Sequence, residues 1–203
     1  MEGVKEKQGQ LVFGLDIGTR SIVGTVGYLN GGKFHVLAQR SKEHETRAML
    51  DGQIHDIGKV GETISRVKEQ LEEDLGRELT EVCIAAAGRV LRTVTTYVEQ
   101  SFESDREITQ EDVYSLCTMG VEKAYEEFQN SNTDTDMKFY CVGYTAMRYY
   151  MNGYQMGNLE GHKAKTIAVD LIATFLPDDV VDGLYKAVEL AGLHVANLTF
   201  EPI

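Results

Sequence analysis

Cysteine is scarce in this sequence, and its placement argues against disulfide bonds and zinc sites. The chain contains only Cys83, Cys117 and Cys141, an odd number. None forms a C-x-x-C pair, and none has a histidine at metal-binding spacing. Each lies in an apolar stretch, so we expect three buried free thiols. The histidines show no pairing with a nucleophile, and we interpret them as structural or exposed.

Basic residues are also in the minority. Lysine and arginine number 20 against 32 aspartates and glutamates, which gives a formal net charge of −12. Nucleic-acid binding depends on clustered basic side chains, so this balance argues against nucleic acid as a partner. The same charge predicts repulsion from anionic lipid surfaces.

Long apolar runs, repeats and low-complexity tracts are missing as well. No run approaches the roughly 18 residues of a membrane-spanning helix, and the N-terminus lacks the pattern of a secretory signal. Residues 1–10 are polar, and we expect them to be frayed. These absences favour a cytoplasmic globular protein, and 203 residues suffice for one or two domains with a real core.

The most informative stretch that is present is VFGLDIGTRSIVGTVGYL. Leu11 to Leu15 predicts a buried strand, Asp16 to Arg20 a polar turn, and Ser21 to Leu29 a second strand. The predicted hairpin therefore carries a carboxylate at its tip.

The residues of this turn suit phosphate binding. Gly18 has no side chain to keep backbone N–H groups away from a phosphate. Thr19 can add a hydroxyl contact, and Asp16 can hold a hydrated Mg²⁺ beside the phosphates. An ordinary hairpin turn also favours Asp, Gly and Thr, so the local pattern leaves both interpretations open.

Strands and helices alternate along the rest of the chain. A strand at Lys33 to Arg40 follows the turn Asn30-Gly31-Gly32, and residues 41–53 appear charged and loop-like. Apolar spacing predicts a helix over Ile57 to Leu75, capped by Asp56 and ended by Gly76. Further predicted elements are a buried strand at Glu81 to Ala87, a helix at Asp179 to Leu190 with Val181, Leu184, Tyr185 and Val188 inward, and a last strand at His194 to Phe200.

The middle of the chain has a different sequence pattern from the part before it. Val90 to Val98 alternates polar and apolar residues, which is typical of a half-exposed strand. Thr109 and Asp112 form a capping box at the start of a helix. Its predicted inner stripe is Val113, Cys117, Val121, Ala124 and Phe128. Strands at Lys138 to Gln155, broken at Asn152-Gly153, and at Lys163 to Leu176 complete a strand–helix–strand–strand order.

The motif LDIGT followed by a second apolar strand resembles the first phosphate motif of the actin/Hsp70/sugar-kinase ATPase superfamily. Beyond residues 1–10, nearly the whole chain is similar to the FtsA family of bacterial cell-division proteins. The segments that carry this likeness, in the order and spacing of the family, are LDIGTRSIVGTVG, RAMLDGQIHDI, VCIAAAG, EITQEDV and YKAVELAGLHVANLTFEP.

The resemblance implies an α/β fold with an α+β insertion. The main part would be an actin-like, ribonuclease H-like ATPase lobe with a mixed five-stranded sheet, and the insertion would have the strand–helix–strand–strand build. Subdomain 1A would then be discontinuous, comprising residues 1–88 and 178–203. Residues 89–177 would form subdomain 1C.

The resemblance also implies ATP and Mg²⁺ as cofactors of the intact protein. Asp16 would orient the hydrated Mg²⁺, and Gly18, Thr19 and Arg20 would line the β- and γ-phosphates. Arg20 retains the positive charge of a lysine often found in such turns, but its planar guanidinium contacts phosphates differently. Glu201, in the segment F-E-P, would position the attacking water of a slow ATPase. The alternative is that Glu201 only ends a strand.

The second phosphate motif of the superfamily, D-x-G-G-G, and its glycine pair for adenosine do not occur in this sequence. We therefore expect an N-terminal fragment that binds ATP weakly or not at all and is inactive by itself. The membrane-binding amphipathic helix of the family would lie in a C-terminal segment that this chain lacks.

Three functions remain open on the sequence. The resemblance favours an actin-like scaffold of bacterial cell division that polymerises at the inner face of the membrane at the division site. Its partners would be further copies of itself, the tubulin-like protein FtsZ and other divisome proteins. A metabolic kinase of the same superfamily and a non-catalytic adaptor of the pilus-assembly type are the alternatives.

Overall fold

The computed structural model describes residues 10–86, 91–131 and 138–200. They form two compact units, which are described separately. The first unit holds residues 10–86 and 179–200, and the second holds residues 91–131 and 138–178. Within the described ranges, no helix has the length and apolar character needed to cross a membrane.

The elements follow one another along the chain in a regular order. They are β1 (Leu11–Ile17), β2 (Ser21–Asn30), β3 (Lys33–Glu43), β4 (Met49–Leu50), β5 (Gln53–Ile54), α1 (Ile57–Leu75), β6 (Glu81–Ala86), β7 (Arg92–Glu107), α2 (Gln110–Ser131), β8 (Phe139–Met151), β9 (Tyr154–Met156), β10 (Lys163–Pro177), α3 (Asp178–Leu190) and β11 (His194–Phe200).

The first unit contains the predicted mixed five-stranded sheet, in the order β11-β6-β1-β2-β3. Strands β1, β2 and β3 are antiparallel neighbours, whereas β6 runs parallel to both β1 and β11. The β2–β3 connection is the predicted glycine turn. Gly31 and Gly32 both have positive φ, at 56° and 74°, as a tight two-residue hairpin turn requires.

Helix α1 has the bounds that the sequence predicts. The Asp56 carboxylate accepts the backbone N–H of Lys59 at 3.0 Å, and Gly76 ends the helix in the left-handed conformation. Four apolar residues at the spacing that predicts this helix are fully buried, namely Val60, Ile64, Val67 and Leu71. Helix α1 also contacts α3, because a Cβ at Gly61 would lie 3.0 Å from the Leu190 Cβ.

Glycine at position 24 lets α1 approach the sheet closely. A Cβ at Gly24 would lie 2.6 Å from Val67 Cγ1 and 2.8 Å from Leu71 Cδ1. Leu15 pairs with Gly24 in the β1–β2 ladder, so both positions face the helix. This face of the sheet is therefore the core of the first unit.

The second unit is an antiparallel sheet in the order β7-β10-β8-β9, with α2 packed on its core. It has the predicted strand–helix–strand–strand order, with β9 added by a turn at Asn152 and Gly153, whose φ values are 49° and 82°. Phe128 of α2 stacks on Phe175 with ring centroids 5.0 Å apart. The predicted stripe of α2 omits Leu116 and Gly120, which are also buried.

The predicted capping box is present at the start of α2. Thr109 N–H donates to the Asp112 carboxylate at 2.8 Å, and Asp112 N–H donates to the Thr109 hydroxyl at 3.3 Å. The Thr109 N–H, together with the Thr109 hydroxyl and the Arg106 guanidinium, holds the pKa of the Asp112 carboxyl below its usual value. The reciprocal bonds satisfy backbone groups that a helix start otherwise leaves unpaired.

Several strand boundaries were predicted wrongly. Strand β3 continues to Glu43 and β7 continues to Glu107, beyond the predicted ends at Arg40 and Val98. Part of the predicted loop over residues 41–53 forms the short β4–β5 pair. Strand length here depends on the partner strand, because Glu43 pairs with Ser21 and Glu107 pairs with Lys163. Ala87 and Val90 lie outside the described residues.

Two burial predictions are also wrong. Tyr185 is 38% exposed, whereas the other three residues predicted to face inward, Val181, Leu184 and Val188, are buried as expected. Cys141 is exposed, whereas Cys117 is buried and Cys83 is partly buried; all three are free thiols. Cys141 lies beside a register shift between β8 and β10, which an alternating sequence pattern does not reveal.

Because α1 lies close to Gly24, alanine substitutions on the two faces of the sheet are expected to differ in their effect on stability. Gly24→Ala is expected to destabilise the first unit by about 1–3 kcal/mol, because the new methyl group must displace buried side chains of α1. Gly14→Ala, on the opposite face, is the matched control, since its Cβ would meet backbone oxygens only at 3.9 Å. Hydrogen exchange of buried β1 and β2 amides measures both changes. Equal losses for the two variants would contradict this assignment of the faces.

Candidate phosphate-binding site

The turn predicted to bind phosphate is shorter than the sequence suggested. Asp16 and Ile17 still belong to β1, where they pair with Val23 and Ile22. The carboxylate is therefore not at the hairpin tip, which corrects that prediction. Ile17 is fully buried, and its burial extends the strand toward the turn. The remaining turn is closed by a hydrogen bond of 3.0 Å from Gly18 N–H to the Ser21 carbonyl.

Asp16 lies on the face of the sheet opposite α1. Neighbouring strand residues alternate between faces, and Leu15 and Ile17 face the core. Strands β1 and β6 are parallel, with Asp16 in register with Ala85, so the carboxylate lies at the carboxyl ends of two parallel strands. Ligands of α/β sheets bind at such ends.

A cavity of about 420 Å³ lies along this face of the sheet, and Asp16 contributes to its lining. Polar side chains accompany the carboxylate there, because Gln39 donates a hydrogen bond of 3.0 Å to the Thr25 hydroxyl and both residues line the cavity. Cys83 lines it as well. This combination of space and polar groups can accommodate a hydrated ligand.

The backbone of the turn offers two hydrogen-bond donors. Gly18 uses its N–H within the turn, and a Cβ at this position would lie 3.0 Å from the Ser21 oxygen. The N–H groups of Thr19 and Arg20 donate to no other residue in the described part of the chain. Adjacent N–H groups of this kind form anion-binding sites in turns.

Thr19 connects the turn to a second hairpin. Its Oγ1 accepts the Gly52 N–H at 3.1 Å. Asp51 and Gly52 have φ values of 50° and 82°, so they form the tight turn between β4 and β5. The hydroxyl hydrogen of Thr19 can still be donated to a phosphate oxygen. The Asp-Gly pair of RAMLDGQIHDI therefore has a structural role at this site.

Arg20 is highly exposed, with 85% of its side chain accessible, and its Nε lies 3.3 Å from Glu43 Oε1. Ion pairs this exposed contribute little stability, so the guanidinium can exchange partners. Arg20 lines a cavity of about 540 Å³ together with Thr19, Arg47 and loop carboxylates. The predicted catalytic residue Glu201 lies outside the described residues.

His44 is a contact residue that the sequence did not reveal. Its backbone N–H donates to the Arg20 carbonyl at 3.0 Å, and its Nε2 lies 3.1 Å from the Gly18 carbonyl oxygen. The side-chain bond spans 26 positions in the sequence, and no motif predicts it. The contact agrees with the interpretation of the histidines as structural or exposed, which did not identify the partner.

A Mg²⁺ ion at Asp16 would have to be held mainly by water and phosphate. The described residues contain no cluster of three or more His, Cys, Asp or Glu side chains that could form a metal cage. Mg²⁺ at nucleotide sites commonly uses one or two carboxylates and retains several waters. Asp16 satisfies this requirement as a single carboxylate next to the turn.

No family model matches this chain. "Cell division protein FtsA" of Streptococcus pneumoniae is 25% identical over 191 residues, which cover 94% of this chain. The chain is FtsA-like. It spans 39% of the length of that relative.

A solved structure of lower sequence identity shares the fold of this chain. A chain of the "PilM-PilN type IV pilus biogenesis complex" matches 94% of this chain and 47% of its own length with a TM-score of 0.57. At 16% identity, that likeness shows the fold alone. Ethanolamine utilization protein EutJ from Carboxydothermus hydrogenoformans matches 39% of this chain and 28% of its own at 25% identity, with a TM-score of 0.34.

The hydrogen bond from Gly52 N–H to Thr19 Oγ1 predicts that each of the two turns stabilises the other. Thr19→Val removes the acceptor but keeps the shape, so exchange of the Gly52 amide hydrogen is expected to accelerate by about 3- to 10-fold. Thr19→Ser keeps the hydroxyl and serves as the matched control. Hydrogen exchange followed by NMR measures both variants. Unchanged Gly52 exchange in the valine variant would show that the two turns are held by other contacts.

Proposed function

We propose that this chain supplies the phosphate-binding lobe of an actin-like protein that binds ATP and acts as a polymerising scaffold in bacterial cell division. The observation that carries the proposal is the 25% identity to FtsA over 94% of the chain. It is supported by the turn after β1, where a nearby carboxylate accompanies two N–H groups that have no partner among the described residues.

In this proposal, residues 1–88 and 178–203 form subdomain 1A, and residues 89–177 form subdomain 1C. The division into compact units after residues 90 and 178 supports these boundaries. The mixed sheet of the first unit carries the turn, and the antiparallel second unit has its own apolar core.

The proposed phosphate contacts come from the turn and its neighbouring strand. Thr19 and Arg20 donate their N–H groups, Thr19 adds its hydroxyl, and Gly18 keeps the backbone accessible. Asp16 orients the water shell of Mg²⁺, which supplies positive charge to the phosphates when it is bound. Phosphoryl transfer depends mainly on such positioning and charge neutralisation. Glu201 is proposed to orient the attacking water of a slow ATPase.

The charge of the chain makes Mg²⁺ important for this proposal. The formal net charge is −12, and ATP is itself an anion, so the free nucleotide is repelled at long range. The backbone N–H donors act only at contact distance. A bound Mg²⁺ reduces the charge of the nucleotide, so the proposal requires binding that depends on the metal.

The partners proposed for the intact protein are further copies of itself, an FtsZ-type division protein and other divisome proteins. The proposed location is the cytoplasmic face of the membrane at the division site. The likeness to FtsA supports these assignments. A pilus-assembly type adaptor remains the alternative, and sedimentation with and without Mg-ATP separates it from a polymerising scaffold.

Titration with Mg-ATP tests the proposed site directly. The amide resonances of Thr19 and Arg20 are expected to shift at millimolar Mg-ATP, because the chain lacks the D-x-G-G-G motif and offers one set of phosphate contacts. Asp16→Asn is expected to weaken the effect of Mg²⁺ on this binding about tenfold or more. Asp105→Asn, an exposed acidic position in the second unit, is the control.

Two results would contradict the proposed site. One is saturation of the chain with Mg-ATP without any shift at Thr19 or Arg20. The other is an identical response to Mg²⁺ in the Asp16 and Asp105 variants, which would remove Asp16 from the site.

A further inference from the structure

His44 forms hydrogen bonds with both ends of the Gly18–Arg20 turn, the candidate phosphate site. Its backbone N–H donates to the Arg20 carbonyl at 3.0 Å, and its ring nitrogen Nε2 lies 3.1 Å from the Gly18 carbonyl oxygen. A single residue from the segment after β3 therefore binds the first and last carbonyls of the three-residue turn.

The tautomer of the neutral His44 ring follows from this contact. A carbonyl oxygen can only accept a hydrogen bond, so Nε2 must carry the hydrogen. In the neutral ring, Nδ1 is then the unprotonated nitrogen. The Nδ1 atom is buried and has no hydrogen-bond partner among the described residues. The hydrogen bond that the ring donates from Nε2 to the turn is therefore its one contact of this kind among the described residues.

The bond to Gly18 also determines where the next N–H group points. In a trans peptide unit, the C=O of one residue and the N–H of the following residue point in opposite directions. Because the Gly18 carbonyl is directed at His44, the N–H of Thr19 is directed away from it. This N–H is one of the two turn donors that have no partner in the described part of the chain.

We propose that His44 is a positioning residue that fixes the Gly18–Thr19 peptide plane and so presents the Thr19 N–H to a phosphate oxygen. This inference rests on the proposed function of the turn as a phosphate site. Donation from the imidazole also polarises the same peptide unit, which strengthens its N–H as a donor. His44 acts through the backbone and needs no contact with the nucleotide.

Glutamine and asparagine at position 44 both carry a side-chain amide, and they differ mainly in the distance from Cα to the amide nitrogen. Glutamine places its amide nitrogen as many bonds from Cα as Nε2 of histidine, whereas asparagine is one bond shorter. Both His44→Gln and His44→Asn retain the backbone bond to Arg20. His35→Ala is a control, because His35 stacks on Tyr28 elsewhere along the β2–β3 hairpin. Exchange of buried strand amides confirms that each variant is folded.

Two measurements on these variants test the inference. In the free protein, the Thr19 amide resonance is expected to move in His44→Asn and to stay near its wild-type position in His44→Gln. In titrations with Mg²⁺ and inorganic triphosphate, His44→Asn is expected to weaken binding by about 3- to 10-fold. His44→Gln and His35→Ala are expected to remain within about twofold of the wild type.

Equal affinities and equal Thr19 shifts for the asparagine and glutamine variants would overturn the role of His44. The free-protein measurement separates this inference from the proposed function. If the wild-type chain does not bind triphosphate, the phosphate site itself is wrong, even where the Thr19 resonance responds to His44. If triphosphate binds but Thr19 does not respond to either variant, the site stands and the role of His44 is rejected.

Discussion

The burial of Ile17 against the core is the constraint on which the candidate site depends. Side chains alternate along a strand, so the fully buried Leu15 and Ile17 force Asp16 onto the opposite face. The antiparallel partner β2 and the parallel partner β6 both hold this register. A slip by one residue would bury the carboxylate and expose two core side chains, and the core therefore specifies the position of Asp16.

Residues that do not belong to the β1–β2 hairpin stabilise the turn that joins its two strands. Gly52 donates to the Thr19 hydroxyl, and His44 binds the carbonyls of Gly18 and Arg20. These contacts satisfy acceptors of the turn while leaving the N–H groups of Thr19 and Arg20 without partners in the described chain. The carbonyls of Gly18 and Arg20 are thus directed toward the protein, and the two N–H groups remain available to a ligand that brings its own acceptors. Phosphate is such a ligand.

The sequence predicted the parts of this structure that are determined locally. Helix α1 and its caps follow from an apolar period and from the preferences of Asp56 and Gly76, and the box of Thr109 and Asp112 is a three-residue pattern. Strand ends were less predictable, since β3 and β7 extend as far as their partners allow. The contacts of His44 and Gly52 with the turn cross 26 and 33 positions, and a single sequence contains no pattern for them.

Gly18 shows why a motif alone does not establish a phosphate site. A Cβ there would crowd the Ser21 oxygen, so the hairpin needs a small residue whether or not a nucleotide binds. The glycine of LDIGT is therefore explained by the turn, and it cannot distinguish an ordinary hairpin from a phosphate loop. The N–H groups of Thr19 and Arg20, which have no partner among the described residues, do not make the distinction alone either. The central residues of a tight turn leave their N–H groups to solvent whether or not an anion binds, and an anion site uses the same groups. The functional interpretation therefore depends on whether a phosphate oxygen replaces water at these two N–H groups.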